Sequence, residues 1–433
     1  MQKFQYPVTN PLGAHARPCA VLAQTCVKYK CVVTVACGDR SADGRNVLEL
    51  LALEAKKDDV LEITAEGPDE AECISDIMSV LKKEFHEKRK AKLLQIAFYG
   101  AKDYDRIYFS ELTKITGDGT YNASIQYLTT NLDLETVQLA AGCEAICIFV
   151  NDHADRPVVE RLYHIGVRLI LLRCAGFNQV DCEAAKEYGI TVLRVPAYSP
   201  YAVAEHAMAS LQTANRRLHK AYYKVKDNNF ALSGLLGTDL HHKTAGIIGT
   251  GKIGVCMARI CQGYGMTVLG WDAYPNRALE AEELLRYVEK DELFERADLI
   301  SLHAPLFPST HHIIDAAAIA RMKKDVMLVN TARGELIDQE ALIVALKKGK
   351  FHAVALDVYE GEDENAYTDR SDVAVSEDIT ARLLTFPQVV ITGHQAFFTR
   401  EALQAIAVAT MENAKNYNEG NPYGDAEVTA AMK

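Results

Sequence analysis

The chain lacks the features that mark a protein for nucleic acid, membrane or export. It has no basic excess: 47 Lys and Arg stand against 58 Asp and Glu, a net charge of −11. With no surplus cations to neutralise phosphates, no nucleic-acid partner and no anionic membrane surface are expected. No apolar run approaches the roughly 18 residues of a membrane span. The opening MQKFQYPV has neither a basic segment nor an apolar stretch after it, so no signal peptide is expected and the expected location is cytoplasmic. Cysteine is present but unpatterned: 11 residues, an odd number, without C-x-x-C spacing. That excludes a small disulfide framework, points to reduced thiols, and gives no metal site. Internal repeats and low-complexity tracts are also missing.

What is present is ordinary globular material, 49% hydrophobic over 433 residues, enough for about three domains. It is organised around residues 244–272, TAGIIGTGKIGVCMARICQGYGMTVLGWD. The pattern is strand, glycine turn, helix, strand. Gly249, Gly251 and Gly254 form G-x-G-x-x-G. The first glycine permits the tight turn, the second lets backbone approach a pyrophosphate, and the third lets helix and strand pack closely. Asp272 ends the second strand, placed to accept from the ribose hydroxyls of NAD.

Before this unit, residues 1–88 read as a separate small α+β fold. Strands are expected near 4–8, 31–36 and 60–65, with helices at 16–29, 47–53 and 69–84, an order that suits an open-faced sheet covered on one side. The charged run 82–92, KKEFHEKRKAK, marks a boundary. From Leu94 a βα alternation begins, with strands at 145–150, 169–172 and 191–195, which implies a parallel sheet. Residues 201–226 contain no glycine or proline and read as one helix leading into the dinucleotide unit. The expected division is 1–88, a linker at 89–93, a substrate unit of 94–198 and 394–433, and a dinucleotide unit of 199–393. A last helix, 401–417, returns to the substrate unit.

In open parallel sheets ligands bind beyond the carboxyl ends of strands. Such ends fall near His303, Thr331, Asp357 and Gly393, so Ala304-Pro305, Thr331-Ala332-Arg333, Asp357, Glu362 and His394 form the candidate site. A bound nicotinamide implies hydride transfer. Reducing a carbonyl then needs a proton donor, for which a histidine such as His394 is suited. Glu362 would fix that ring and favour its protonated form. Arg333 offers a fork of donors for a substrate carboxylate and the adjacent keto oxygen, which selects a 2-keto acid. Small residues after a strand would let the amides of Ala175 and Gly176 face an anion. Tyr198 lies where the chain crosses between units, which suits either a residue that reaches the cleft or an exposed loop tyrosine.

These runs resemble the D-specific 2-hydroxyacid dehydrogenase family over residues 94–433, and within it the bacterial fermentative D-lactate dehydrogenases. The matching stretches include LRCAGFNQVDCEAAKEYGITVLRVPAYSPYAVAEH, KTAGIIGTGKIG, DLISLHAPL, VNTARGELID, ALDVYEGE and ITGHQAFFT. The resemblance implies a Rossmann-type domain beside a flavodoxin-like catalytic domain. It implies catalytic Arg333, Glu362 and His394, and substrate contacts from Ala175, Gly176, Tyr198 and Phe397. For NADH it implies Lys252, Ile253, Asp272, Ala304, Pro305, Thr310, Thr331, Ala332 and Asp357. Pyruvate and D-lactate are the expected substrate and product, in a homodimer or homotetramer.

Residues 1–88 resemble instead the histidine-containing phosphocarrier, HPr, of the sugar phosphotransferase system. The run Gly13-Ala-His-Ala-Arg-Pro places His15 as phosphoacceptor with Arg17 beside it. Enzyme I would then be a partner. Two departures are Ala14 and Cys19, and Asn46 stands where many such proteins carry a regulatory serine. The expectation is a fusion in which phosphorylation of His15 regulates the dehydrogenase. The alternatives are a dehydrogenase for a larger 2-keto acid and an NAD-sensing regulator.

Overall fold

The computed structural model describes residues 1–8, 16–56, 59–84, 93–113, 121–362, 367, 369, 371–372 and 378–429. These build three sheets. The first is antiparallel: β1 (Gln2–Pro7), β2 (Val32–Cys37), β3 (Arg40–Asp43) and β4 (Val60–Glu66), in the order β1-β4-β2-β3. Alternation decides its faces. Val33, Val35, Leu61, Ile63 and Ala65 are buried while Val32, Thr34 and Glu62 are exposed. The helices Ala16–Cys26, Val47–Ala52 and Glu70–Glu84 cover the buried face with Leu22, Cys26, Leu50, Cys73 and Ile77. Asn46 is the N-cap of the second of these, accepting from the amides of Leu48 and Glu49. His15 lies outside the described residues, as does the side chain of Arg17.

The second sheet holds β5 (Leu94–Phe98), β6 (Ala123–Tyr127), β7 (Ala145–Ile148), β8 (Leu169–Leu172) and β9 (Thr191–Leu193). All pairs are parallel and the order is β6-β5-β7-β8-β9, the flavodoxin-like arrangement. Every residue of β7 and β8 is buried, as expected of strands covered on both faces. The helix Arg400–Glu419 packs here, with Ala407, Met411 and Ala414 in the same core as Leu94, Ile96 and Phe98.

The third sheet is the largest: β10 (Thr244–Ile248), β11 (Thr267–Trp271), β12 (Arg286–Tyr287), β13 (Leu299–Leu302), β14 (Val326–Asn330), β15 (Phe351–Leu356) and β16 (Val389–Ile391). Its order, β12-β11-β10-β13-β14-β15-β16, is that of a Rossmann sheet with one added strand. The switch point lies at β10, where the chain first runs one way and then the other.

The single helix expected over 201–226 is two. Pro200–Asn215 ends and Leu218–Lys226 begins after Arg217, which sits at φ 54°. The break is held from inside. Asn215 exchanges hydrogen bonds with the main chain of Thr238, and Arg217 donates to the Ala214 oxygen and to the His352 oxygen at 2.8 Å. The second helix buries none of its residues. Leu232 and Leu236, which follow it, are 83% and 88% exposed. Among the described residues no helix is long and apolar enough to cross a membrane.

Candidate active site

The glycine turn leaves β10 at Gly249, at φ 90°, where an added Cβ would lie 2.4 Å from the Ala304 amide nitrogen. A Cβ at Gly254 would fall 2.0 Å from the Gly249 oxygen, so turn and helix are in backbone contact. Gly251 differs: a Cβ there would meet nothing within 4 Å. It caps the helix Lys252–Gly263. The open space therefore sits at a helix N-terminus, where unpaired amides and the helix dipole favour a phosphate. A dinucleotide pyrophosphate fits this cradle.

Asp272 stands beside it at the end of β11. Its Oδ2 accepts from the Thr250 amide at 2.7 Å and the Thr250 hydroxyl at 3.0 Å, and its Oδ1 from the Tyr274 amide at 2.9 Å. A carboxylate has about four acceptor positions, so capacity remains for a ribose hydroxyl. Arg277 is tied to Glu280 at 2.7 Å. Lys252 and Ile253 open the helix on the rim of the cradle.

The next strand ends line the same side. After β13, His303 is followed by buried Ala304 and exposed Pro305, and the Thr310 hydroxyl folds this loop back by donating to the Pro305 oxygen at 2.7 Å. Burial pushes the His303 imidazole down to about 4, with its Nε2 2.7 Å from the Ser301 hydroxyl. After β14, the side chain of Asn330 accepts from the Ala332 amide and donates to the Arg333 oxygen, fixing the Thr331-Ala332-Arg333 turn. The Thr331 hydroxyl oxygen is buried with no partner among the described residues. An unsatisfied buried group at this strand end, next to the glycine cradle, is a further fit to a polar cofactor.

Arg333 is extended, and its Nη1 donates to the Ala332 oxygen at 2.6 Å. Its Nη2 lies 2.8 Å from where a Cβ of Gly176 would be, so the guanidinium reaches across to the loop after β8. Neither the Ala175 nor the Gly176 amide donates to an acceptor among the described residues. An arginine fork and two open amides thus share one corner. Tyr198 is close enough for Arg333 to act on it electrostatically; burial nevertheless pushes its phenol up to about 12.

Gly334 lets this turn press on the next loop, since a Cβ there would be 2.3 Å from the Tyr359 carbonyl carbon. That loop leads to Glu362. Its Oε1 lies 2.9 Å from His394 Nδ1, and its Oε2 accepts from the Tyr359 amide at 3.2 Å. Among the described residues His394 Nε2 has no partner. The Asp357 carboxylate is turned toward the same element. It accepts from the Thr392 hydroxyl and from the amides of Gln395 and Ala396, with His206 Nε2 at 3.3 Å. Those hydrogen bonds hold its carboxyl below the usual carboxylate range despite its burial. Phe397 is 7% exposed and packs on Phe149 at 5.7 Å.

Asn330, His206 and Tyr367, whose hydroxyl donates to the His394 oxygen, carry no chemical signature in the sequence, because each acts by bracing another residue. One further group, His311, His312 and Glu360, gathers ligand-type atoms within 4.8 Å. The two imidazoles are stacked at 3.9 Å and 27°. His312 and Glu360, 2.6 Å apart, tie two loops.

Comparison with known proteins agrees with this geometry. Residues 208–396 match the D-isomer specific 2-hydroxyacid dehydrogenase, NAD binding domain model, and residues 2–83 the PTS HPr component phosphorylation site model. The chain is 47% identical over 328 residues to D-lactate dehydrogenase of Escherichia coli (strain K12), spanning 76% of this chain and 98% of that one. Among solved structures it is similar to the pyruvate reductase of Chlamydomonas reinhardtii, with TM-score 0.72, 40% identity, and 78% and 99% of the two chains covered. It is also similar to D-2-hydroxyisocaproate dehydrogenase, with TM-score 0.69, 30% identity, and 78% and 100% covered. The chain belongs to the D-isomer specific 2-hydroxyacid dehydrogenases, as an NAD-dependent enzyme that carries an HPr-type domain ahead of its dehydrogenase.

Proposed function

We propose that the enzyme reduces pyruvate to D-lactate with NADH. The observation that carries the reading is the 2.9 Å contact of His394 Nδ1 with Glu362 Oε1, on the same side as the Arg333 fork. Bound NADH supplies the hydride that C2 of the keto acid receives. Arg333 binds the carboxylate and polarises the keto oxygen, with the Ala175 and Gly176 amides holding the same anion. His394 delivers a proton from Nε2 to that oxygen, while Glu362 keeps the ring oriented and stabilises its cationic form. Cofactor contacts come from the cradle of Gly249, Gly251 and Gly254 with Lys252 and Ile253, from Asp272, and from the loops carrying Ala304, Pro305, Thr310, Thr331 and Ala332. Asp357 serves the cofactor side and braces the His394 turn.

The substrate side is lined by Phe149, Phe397 and Tyr198. Phe149 and Phe397 pack on one another in one apolar cluster with Tyr198, and an aromatic wall of this kind suits the methyl end of pyruvate. The relative named for 2-hydroxyisocaproate keeps a larger keto acid as the second reading. We divide the chain as a substrate lobe of 94–198 and 394–433 around a dinucleotide lobe of 199–393. The helix Leu218–Lys226 has no fully buried residue, and a nine-residue helix is marginal alone. A second copy covering it with Leu232 and Leu236 makes a homo-oligomer the working assembly. The first domain receives a phosphoryl group on His15 from Enzyme I.

The deciding measurement is NADH oxidation followed by absorbance, with pyruvate and with branched 2-keto acids, for the parent and His394→Gln. The expected result is fastest turnover with pyruvate and loss of about 10³-fold or more in the variant with NADH still bound. Retained turnover would remove His394 from the mechanism. A preference for branched acids would select the second reading.

A further inference from the structure

Tyr367 follows Glu362 by five residues, in a stretch of acidic and amide side chains. It is nevertheless packed. Its ring lies 5.2 Å from Phe149 and 6.3 Å from Phe397, and its hydroxyl donates to the main-chain oxygen of His394 at 2.9 Å. Burial, helped by the charges of Glu362 and Asp357, raises its pKa far above neutrality, so the phenol remains a donor.

The residue it holds is strained. His394 sits at φ 51°, a left-handed conformation that a non-glycine side chain keeps only where its surroundings over-determine it. Three contacts do so. The His394 amide donates to the Asp357 oxygen at 2.9 Å, its carbonyl accepts from Tyr367, and Nδ1 meets Glu362. Nε2 alone is left for a reacting group.

We propose that Tyr367 is a positioning residue for proton delivery by His394: its hydroxyl locks the peptide after the imidazole, and its ring braces that turn against the aromatic wall of the substrate pocket. This rests on His394 being the proton donor. Geometry of this kind matters because a misplacement of about 1 Å costs on the order of 10²-fold in rate.

The test is Tyr367→Phe in the full chain, which keeps the ring and removes one hydrogen bond. It is assayed with whichever 2-keto acid gives the parent its highest kcat/KM, beside His394→Gln. The expected result is a kcat lower by about 10-fold, a KM within about twofold, and a larger solvent deuterium isotope effect on kcat, because proton delivery becomes more limiting. NADH affinity should be unchanged. A purely structural defect would lower the active fraction and leave the isotope effect alone, and that outcome overturns the proposal. So does a kcat within about twofold of the parent while His394→Gln is inactive. If His394→Gln itself turns over, the donor assignment fails first and the inference falls with it.

Discussion

The Asp357 carboxylate accepts the Thr392 hydroxyl at 2.5 Å, and this contact starts a strap across the turn that carries His394. The same oxygen takes the Gln395 amide and the other takes the Ala396 amide, at 2.9 and 2.8 Å. Asp357→Asn would set an NH2 group against at least one of these donors. Leaving a buried donor unsatisfied costs about 1–3 kcal/mol. We expect a lower melting temperature of the dehydrogenase and a fall in kcat/KM on the order of 10²-fold, measured by calorimetry and by NADH oxidation.

The three turn glycines should fail in different ways. Gly251 has φ −69° and nothing within 4 Å of a Cβ, so Gly251→Ala should fold normally. The methyl group would occupy the pyrophosphate cradle, and NADH affinity should fall at least about 10-fold. Gly254→Ala meets the Gly249 oxygen at 2.0 Å and should destabilise the domain itself. Trp271 is the one tryptophan of the chain and ends β11 beside this turn. Its fluorescence, expected to be quenched by NADH in the parent, separates the two outcomes.

Cofactor choice is expected to follow Asp272. A 2′-phosphate would meet its carboxylate with like charge, and Arg277, the nearby cation, is already paired with Glu280. NADH should exceed NADPH in kcat/KM by about 10²-fold, and Asp272→Ser with Glu280→Gln should erase most of that difference by removing the repulsion and freeing the arginine.

Acid should weaken the dehydrogenase through His303. Its folded pKa is about 4 against an ordinary 6.5. Between those values the unfolded chain binds a proton that the native state refuses. The stability this represents is present above the unfolded value and drains as pH falls toward the folded one, at most about 3 kcal/mol. Below that window Asp357, held low in the native state, adds its own loss as it protonates. His303→Gln should therefore lose less melting temperature than the parent between about pH 7 and about pH 5, as followed by calorimetry.

Much of this architecture is legible in the residue string because parallel strands buried on both faces announce themselves as apolar runs. TAGII, DLISL and VMLVN are such runs, and the end of the last locates Arg333; His394 follows VVI, a shorter run at the edge of the same sheet. The reading fails where an element is not specified by its own side chains. β3 is Arg-Ser-Ala-Asp and exists because β2 pairs with it. β6 is an edge strand with no buried residue, and β12 is two residues long. The break at Arg217 is imposed by Asn215 and by His352, 135 residues further on. Tyr367 is hidden for the same reason, since an aromatic among acids has no periodicity and only the fold brings it to His394. Charge chemistry survives in sequence because few residue types can perform it, whereas bracing can be done by almost any side chain in the right place.

The three sheets have separate interiors. The core built from Val8, Leu22, Val35, Ile63 and Ile77 contains only residues numbered 8–81, and the cores of the other two sheets begin at Leu94. Among the described residues, no buried cluster is shared across residue 84. Sites far apart with no common partners change stability independently. Selection can therefore alter the packing of the first domain without cost to turnover in the second, so the two halves are free to drift at different rates, and a lineage could lose or replace the phosphocarrier without repacking the enzyme it precedes.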